Sequence, residues 1–224
     1  MELKNAVPWG RSLAEYKKMF CLSEHDLTKS ILGCGDGPAS FNAELTKLGG
    51  SVTSIDPVYS FSHDQLKSRI DEVYDEVMPQ MERTKSNYLW STIPCVEELG
   101  KIRMAAMGTF LADYEQGKQE NRYIDAALPK LPFEAQQFGL AVCSHYLFLY
   151  SEQLSLQQHL DAILELSRVA KEVRIYPLTT LKGELSGHVE PLIARLTEKN
   201  IKLKISESEY RFQKNAVNML TITP

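Results

Sequence analysis

Residues 29–56 constrain the fold more than any other stretch of the chain. The pattern predicts a strand at 29–32, a turn in which three glycines alternate, a helix at 39–48, and a second strand at 51–55 that ends at Asp56. The helix is indicated by apolar residues spaced four and three apart. A strand, a glycine-rich turn, a helix and a strand ending in an acid form the unit that usually holds a nucleoside-bearing cofactor.

The glycine turn favours a cofactor without phosphate. A dinucleotide turn needs glycine at its sixth position, and counting from Gly33 that position is Pro38. Proline suits the first turn of a helix, but it removes a backbone N–H that a pyrophosphate would use. No lysine for terminal phosphates follows, and Asp36 would repel a phosphate in such a turn. We therefore expect Asp56 to bind ribose hydroxyls; its alternative role is to cap the segment that begins at Pro57.

Two motifs carry a resemblance to a known family. The run ILGCGDG at 31–37 resembles the glycine motif of class I S-adenosylmethionine-dependent methyltransferases. The run LPF at 131–133, followed by FGLAVCSH at 138–145, is similar to the stretch that leads into that family's fourth strand. One position departs from the family pattern, because Ile31 stands where an acid commonly contacts the methionine amino group. The resemblance implies that S-adenosyl-L-methionine is the cofactor.

The rest of the chain predicts the remaining elements of the same sheet. Further strands are indicated at 122–125, 138–143, 172–176, 201–206 and 215–222, and helices at 154–170 and 184–199. The last two strands are joined by a link so short that they must be antiparallel. The predicted fold class is α/β, with a Rossmann-like doubly wound seven-stranded sheet, an antiparallel last strand, N-terminal helices and a helical insertion after the second strand.

A single methyltransferase domain is expected over residues 1–224, with an N-terminal helical cap at 1–28 and the insertion at 60–120. About 65 residues separate the second and third strands, whereas a plain crossover needs only about a dozen. Helices are predicted at 65–78 and 94–114, interrupted by Pro79, Pro94 and Gly117. We expect the insertion to form a lid, because ligands bind outside the carboxyl ends of the strands. The alternatives are a structural extension or a dimerisation surface, which would make the protein a homodimer.

Charge and composition narrow the classes of partner. The net charge is −4 and no basic tract occurs, so a nucleic-acid partner is not expected. Neither a membrane span nor a secretory signal at residues 1–9 is predicted, because no long apolar run is present. The four scattered cysteines indicate reduced thiols in a cytoplasmic protein. No metal site is expected, because the histidines lack companions at ligand spacing. A small-molecule acceptor fits these properties best, and an exposed protein group is the alternative.

The resemblance also implies a set of cofactor-binding residues. Asp125 ends the third strand, where the family often has an acid or amide near the adenine amino group, and Ala126 would offer its backbone N–H to the ring. Because Ile31 lacks the usual charge, Arg11 or Ser144 is expected to hold the methionine end. The predicted cofactor-binding residues are Gly33, Cys34, Gly35, Gly37, Asp56, Pro57, Asp125, Ala126, Ser144 and Arg11.

His145 is the candidate catalytic residue. It follows the fourth strand, where a histidine is placed to take a proton from an attacking oxygen or nitrogen. A structural role is the alternative. A sulfonium methyl group is already a good electrophile, so direct displacement is the expected mechanism and the protein mainly aligns the acceptor.

The sequence leaves three functions open. A methyltransferase is favoured by the two motifs. A protein that binds S-adenosylmethionine or a related nucleoside without transferring methyl is the alternative, and Ile31 favours it. A nicotinamide-dependent oxidoreductase is disfavoured by Pro38 and by the antiparallel last strand.

Overall fold

The computed structural model describes residues 9–224, which form one seven-stranded sheet with helices on both faces. The first eight residues, which belong to the stretch predicted to carry no secretory signal, lie outside the described part of the chain. The strands are β1 (Ser30–Cys34), β2 (Ser51–Ile55), β3 (Tyr123–Ile124), β4 (Leu140–Ser144), β5 (Val173–Tyr176), β6 (Lys202–Glu207) and β7 (Asn218–Thr223). Their order is β3-β2-β1-β4-β5-β7-β6, and β7 is antiparallel to both of its neighbours. The predicted fold class is confirmed.

Seven helices are found in the described residues, and four of them begin with a capping box. They are α1 (Leu13–Met19), α2 (Glu24–Leu27), α3 (Phe41–Lys47), α4 (His63–Arg83), α5 (Val96–Gln119), α6 (Leu156–Val169) and α7 (Val189–Thr197). A serine precedes α1, α2, α4 and α6, and its hydroxyl accepts the backbone N–H of the third helical residue, whose side chain bonds back. Within residues 9–224, no helix is long and apolar enough to cross a membrane.

The strands bury apolar side chains on both faces of the sheet. Successive residues of a strand point to opposite faces, so Ile31 and Leu32 of β1 belong to different hydrophobic clusters. The Ile31 cluster includes residues of α1, α3, α4 and α5, and the Leu32 cluster includes residues of α6 and α7. Burial on both faces explains why the central strands read as continuous apolar runs.

The glycine turn differs from the sequence prediction in its boundaries. Strand β1 runs from Ser30 through Gly33 to Cys34, whereas the prediction ended it at residue 32. Helix α3 begins only at Phe41, so Pro38 lies in the turn before the helix and not in its first turn. The turn is held away from the helix by hydrogen bonds to residues that follow β2. The Gly37 N–H donates to Asp56 Oδ2 at 3.0 Å, and the Tyr59 hydroxyl donates to the Gly37 carbonyl at 2.7 Å.

The insertion consists mainly of α4 and α5, which pack against each other. Both helices are longer than predicted, because α4 continues past Pro79 and α5 continues through Gly117. Proline removes one intrahelical hydrogen bond, but Val77 and Met81 are buried on either side of it and hold the helix in place. At Gly117 an added Cβ would lie 2.3 Å from the ring of Tyr123, so glycine allows α5 to approach β3 closely.

The last third of the chain also shows shifted boundaries. Helix α7 begins at Val189, five residues after the predicted start, and β7 begins at Asn218, three residues after the predicted start. Neither shift changes the order of the strands. The division into one domain with a cap and a lid stays a prediction.

Candidate functional site

A cavity of about 440 Å³ lies at the carboxyl ends of β1, β2 and β4. Most of the predicted site residues meet there. The cavity is lined by Arg11, Cys34, Gly35, Gly37, Asp56, Pro57, Ala126, Ser144 and His145. Gly33 and Asp125 do not line it, and the Asp125 side chain is exposed just after β3. The predicted contact of Asp125 with adenine therefore stays a prediction that this geometry does not favour.

Asp56 organises the mouth of the glycine turn. Its Oδ1 accepts the Val58 N–H at 2.9 Å and its Oδ2 accepts the Gly37 N–H at 3.0 Å. Burial raises the pKa of Asp56, which these two hydrogen bonds partly oppose. Asp56 thus caps the short turn that follows it, as the alternative interpretation holds. Each carboxylate oxygen keeps a second lone pair, so this cap leaves room for hydrogen bonds from ribose hydroxyls.

Asp36 is a cavity residue whose position the sequence does not indicate. Its Oδ1 accepts the Tyr16 hydroxyl at 2.8 Å and its Oδ2 accepts the Ser54 hydroxyl at 2.7 Å. Burial raises its pKa to about 7. A Cβ on Gly33 would lie 1.8 Å from Asp36 Oδ2, so the carboxyl group can sit there only because residue 33 is glycine. Gly33, the first glycine of the motif, therefore makes room for the Asp36 carboxyl group and does not itself line the cavity.

His145 sits at the end of β4 in a backbone conformation that few residues other than glycine adopt. Its φ is 51°, and its N–H donates to the Tyr176 carbonyl at 2.7 Å. The ring Nδ1 lies 3.0 Å from Ser144 Oγ. Burial and the nearby Arg11 and Arg103 guanidinium groups hold the pKa of His145 well below its usual range. The imidazole is therefore neutral near pH 7, and strained non-glycine backbone of this kind is concentrated at functional sites.

A buried ion pair supports one wall of the cavity. Arg103, whose side chain is 1% exposed, donates from Nη1 to Glu15 Oε2 at 2.6 Å. The Tyr210 hydroxyl accepts from Arg103 Nη2 at 3.2 Å and donates to Glu15 Oε1 at 2.8 Å. Burial opposes ionisation of Glu15, but the Arg103 guanidinium lowers its pKa to about 2. Sequence reasoning missed this group, because Glu15 lies 88 positions from Arg103 and 195 from Tyr210 and no local pattern joins them.

The remaining lining is largely aromatic and comes from segments distant in sequence. Tyr88 belongs to the connection between α4 and α5, and Phe212 to the link between β6 and β7. These two segments are joined by backbone hydrogen bonds from the Leu89 N–H to the Phe212 carbonyl (2.7 Å) and from the Lys214 N–H to the Asn87 carbonyl (3.1 Å). The insertion also contributes Val77, Met81, Leu99 and Arg103 to the lining. Its role as a lid stays a prediction.

The cysteines and acids of the site do not form a metal centre. Throughout residues 9–224, no group of three or more histidine, cysteine, aspartate or glutamate side chains is placed to hold a metal ion. Cys34 lies beside Cys143 on the neighbouring strand, and the hydrogen bond between them together with burial raises the pKa of the Cys34 thiol. The thiol is therefore protonated and inert near pH 7.

Comparison with curated proteins finds one full-length relative. No model of a known protein family matches the chain. An uncharacterized protein of Methanocaldococcus jannaschii, MJ0045, is 32% identical over 223 residues, which is 99% of this chain and 98% of the relative. The similarity therefore extends over nearly the whole length of both chains and is not confined to one motif.

Comparison with solved structures concerns the fold alone. A TehB-like S-adenosylmethionine-dependent methyltransferase of Corynebacterium glutamicum is 13% identical and matches 93% of this chain and 85% of its own, with a TM-score of 0.48. The protein WbdD is 12% identical and matches 94% of this chain and 40% of its own, with a TM-score of 0.50. At 12% identity, the match to WbdD indicates a similar fold and nothing further.

Proposed function

Because the chain belongs to the same family as the M. jannaschii protein and has the fold of class I S-adenosylmethionine-dependent methyltransferases, we propose that it is a methyltransferase that uses S-adenosyl-L-methionine to methylate a small molecule. One observation carries the proposal. The glycine turn, Asp56 and the neutral His145 line the same cavity at the carboxyl ends of the strands. Ligands of doubly wound sheets bind at this edge.

The adenosyl half of the cofactor fits the residues that follow β2 and β3. Asp56 has free lone pairs for ribose hydroxyls, and Pro57 and Ala126 line the adjoining surface. The Ala126 backbone N–H is our candidate donor to the adenine ring. The contact of Asp125 with the adenine amino group stays a prediction that requires this exposed side chain, which does not line the cavity, to turn inward. A cavity of about 440 Å³ lies within the range of small-molecule sites.

The methionine half fits the turn between β1 and α3. Ile31 is an apolar core residue, so it cannot bind the amino group. Asp36 lines the cavity and offers the negative charge that Ile31 lacks, and Ser144 lies close by with its hydroxyl against His145. Because the pKa of Asp36 is raised to about 7, we expect a bound ammonium group to favour its ionised form and release a proton.

The residues of the chain would act by positioning and by proton transfer. S-adenosylmethionine supplies a methyl group on a sulfonium, which is electrophilic without further activation. His145 is neutral near pH 7, so its ring can accept the proton that an acceptor hydroxyl or amine loses. Cys34 has no role as a nucleophile, because its thiol stays protonated and direct displacement needs no covalent intermediate.

A second function is favoured by Ile31 alone. Without the usual acid, the protein could bind S-adenosylmethionine or a related nucleoside and not transfer the methyl group. This candidate shares the cofactor with the first. The two differ in one result, which is methyl transfer to an acceptor.

The proposal is tested by calorimetric titration with S-adenosylmethionine, S-adenosylhomocysteine and NAD. We expect the first two to bind and NAD not to bind. Asp56→Ala removes the carboxylate that we expect to accept two hydrogen bonds from the ribose hydroxyls. This variant should bind both sulfur compounds at least about tenfold more weakly. Asp75→Ala, at an exposed site on α4, serves as the matched control and should leave the affinity unchanged.

Two results would contradict this assignment. One is binding of NAD with no binding of either sulfur compound. The other is an Asp56→Ala variant that binds both compounds as tightly as the wild type. Proton release by Asp36 is checked by repeating the titration at pH 7 in two buffers of different ionisation enthalpy.

A further inference from the structure

The cavity continues beyond the cofactor-binding residues into a space walled by aromatic rings. We call it the aromatic chamber and define it by Trp9, Tyr88, Tyr176, Tyr210 and Phe212. The ring centroids of Tyr88 and Phe212 are 4.9 Å apart, and those of Tyr176 and Tyr210 are 6.2 Å apart. His145 contacts the same wall, with its ring centroid 5.4 Å from that of Tyr176. Rings at these distances present faces and edges on which a planar ligand packs well.

The charges around the aromatic chamber do not balance. Two guanidinium groups, those of Arg11 and Arg103, line the cavity beside it. The Glu15 carboxylate neutralises Arg103 at 2.6 Å and also accepts the Tyr210 hydroxyl. In the described part of the chain, Arg11 has no carboxylate within ion-pair distance. Of these two guanidinium groups, that of Arg11 is therefore the one without an ion-pair partner among residues 9–224.

Arg11 is held in place but has unused donors. Its Nη1 donates to the Trp9 carbonyl at 3.2 Å, and its Nε is buried with no hydrogen-bond partner among residues 9–224. Burial, followed by the charge of Arg103, lowers the pKa of Arg11. A buried donor without a partner is costly, and the planar set of donors of a guanidinium matches a carboxylate. The missing partner is thus a ligand group with negative charge.

The position of Arg11 indicates which ligand supplies this group. Arg11 Nη1 donates to the carbonyl of Trp9, a residue of the aromatic chamber, at 3.2 Å. After burial, the Arg11 charge also contributes to the pKa shifts of His145, Tyr88 and Tyr176, and of Tyr16 beside the glycine turn. The pKa of Asp36 in the glycine turn is set by burial, by its two hydroxyl partners and by Asp56. Arg11 therefore lies among the residues of the acceptor side, although the sequence predicts it as a cofactor residue.

We propose that the methyl acceptor is a planar aromatic acid, whose carboxylate binds Arg11 and whose ring packs in the aromatic chamber. The inference rests on the proposed function. An acid held at Arg11 with its ring against Tyr176 would place a hydroxyl or amine substituent near His145. The acid would also give the Arg11 guanidinium the anionic partner that it lacks among residues 9–224.

The test is calorimetry on the full chain saturated with S-adenosylhomocysteine. The probes are two matched pairs, 4-hydroxybenzoate with 4-hydroxybenzamide and indole-3-carboxylate with indole-3-carboxamide. We expect at least one acid to bind at least about tenfold more tightly than its amide, as for a charge-assisted hydrogen-bonded pair. Arg11→Met should abolish this preference and change the affinity for S-adenosylhomocysteine by less than about threefold.

Arg211→Met is the control variant. Arg211 lies beside Tyr210 and pairs with Glu207, but it does not line the cavity. The Arg211→Met substitution removes one positive charge near the cavity, as Arg11→Met does, and should leave the preference for the acid over the amide intact. Loss of the preference in this variant would point to the general field of the protein and would overturn the assignment to Arg11.

The outcomes separate the two proposals. If S-adenosylhomocysteine binds but neither acid binds more tightly than its amide, the inference is wrong and the proposed function stands. If Arg11→Met weakens S-adenosylhomocysteine at least tenfold and keeps the acid preference, Arg11 belongs to the cofactor and the inference is again wrong. If S-adenosylhomocysteine does not bind the wild-type chain, the proposed function fails and the inference fails with it.

Discussion

Replacing Glu15 with glutamine should destabilise the protein strongly, and the loss should depend on pH. The carboxylate accepts four hydrogen bonds, from Arg103 at 2.6 Å, from the Tyr210 hydroxyl at 2.8 Å, and from the N–H and the hydroxyl of Ser12 at 3.0 and 3.4 Å. Glutamine keeps the shape and one acceptor oxygen but not the charge. The Arg103 side chain is 1% exposed, so water cannot replace the lost anion.

The magnitude follows from the pKa of Glu15. Lowering the pKa from 4.5 to about 2 on folding corresponds to about 3 kcal/mol of stability. The Glu15 side chain is only 11% exposed, so solvent screens this interaction little. Removing one partner of a buried ion pair typically costs about 3–5 kcal/mol, which agrees. Because the folded pKa is the lower one, this stability is complete above pH 4.5 and is lost as the pH falls toward 2.

The assay is urea unfolding of wild type and Glu15→Gln at pH 7, 5 and 3. We expect the variant to lose about 3–5 kcal/mol at pH 7 and the difference to shrink by about 2 kcal/mol by pH 3, as Glu15 becomes protonated in the unfolded wild type. Glu24→Gln is the matched control. Its side chain is 86% exposed and pairs with Lys17 on the surface, so it should cost less than about 1 kcal/mol.

Either of two results would refute the reasoning. A Glu15→Gln protein within about 1 kcal/mol of wild type at pH 7 would mean that Arg103 is not left uncompensated. A difference that stays constant from pH 7 to pH 3 would mean that the pKa of Glu15 is not lowered.

Three further predictions concern other parts of the site and fold. Burial raises the pKa of Asp36 to about 7, so the folded state of the wild type loses stability as this carboxyl group ionises. Between pH 4 and pH 8, urea unfolding should show that the wild type loses about 4 kcal/mol of unfolding free energy relative to Asp36→Asn. Equal dependence of stability on pH in the two proteins would contradict this. His145 should stay neutral from pH 5.5 to 8 in histidine NMR spectra, and Arg11→Met should raise its pKa; a ring that titrates near 6.5 in wild type would be inconsistent with its burial. Gly117→Ala should destabilise the protein by about 1–3 kcal/mol through overpacking against Tyr123. Gly108→Ala, on the same helix, should stabilise it by up to about 1 kcal/mol, because an added Cβ there meets nothing within 4 Å. Similar changes in unfolding free energy at both sites would show that α5 does not approach β3 closely.

The sequence predicted the parts of the fold that depend on local patterns. The alternating glycines after β1, the apolar runs of the central strands and the short link before β7 each extend over few residues. Together with the resemblance to a known family, they were sufficient for the fold class and for the edge at which the cavity lies. Asp56 and His145 could be placed on that edge because each directly follows a strand.

Contacts between distant segments could not be predicted in this way. Glu15, Arg103 and Tyr210 meet only after the sheet and the insertion are assembled, and nothing in their neighbouring residues marks them. Asp36 is similar, since its partners come from α1 and β2. A buried acid needs its hydrogen-bond partners, and these partners are visible only in three dimensions.

Local signals also misled where tertiary packing overrides them. Pro79 and Gly117 are poor helix residues and predicted helix ends, yet both lie within helices. At Pro79 the buried neighbours stabilise the helix, and at Gly117 the missing side chain is what brings the helix onto the sheet. Helix propensity gives the energetic cost of placing such a residue in a helix, but it does not include the stability that the surrounding packing contributes.

Two backbone hydrogen bonds join residues 87–89, in the connection between α4 and α5, to residues 212–214, in the link between β6 and β7. Tyr88 cannot swing away from the chamber unless Phe212 goes with it or both bonds break. If the insertion acts as a lid, its movement would therefore be coupled to the link between β6 and β7 through these two bonds. The same link carries Tyr210 and leads into β7, so one segment near the end of the chain both lines the cavity and connects two strands of the sheet.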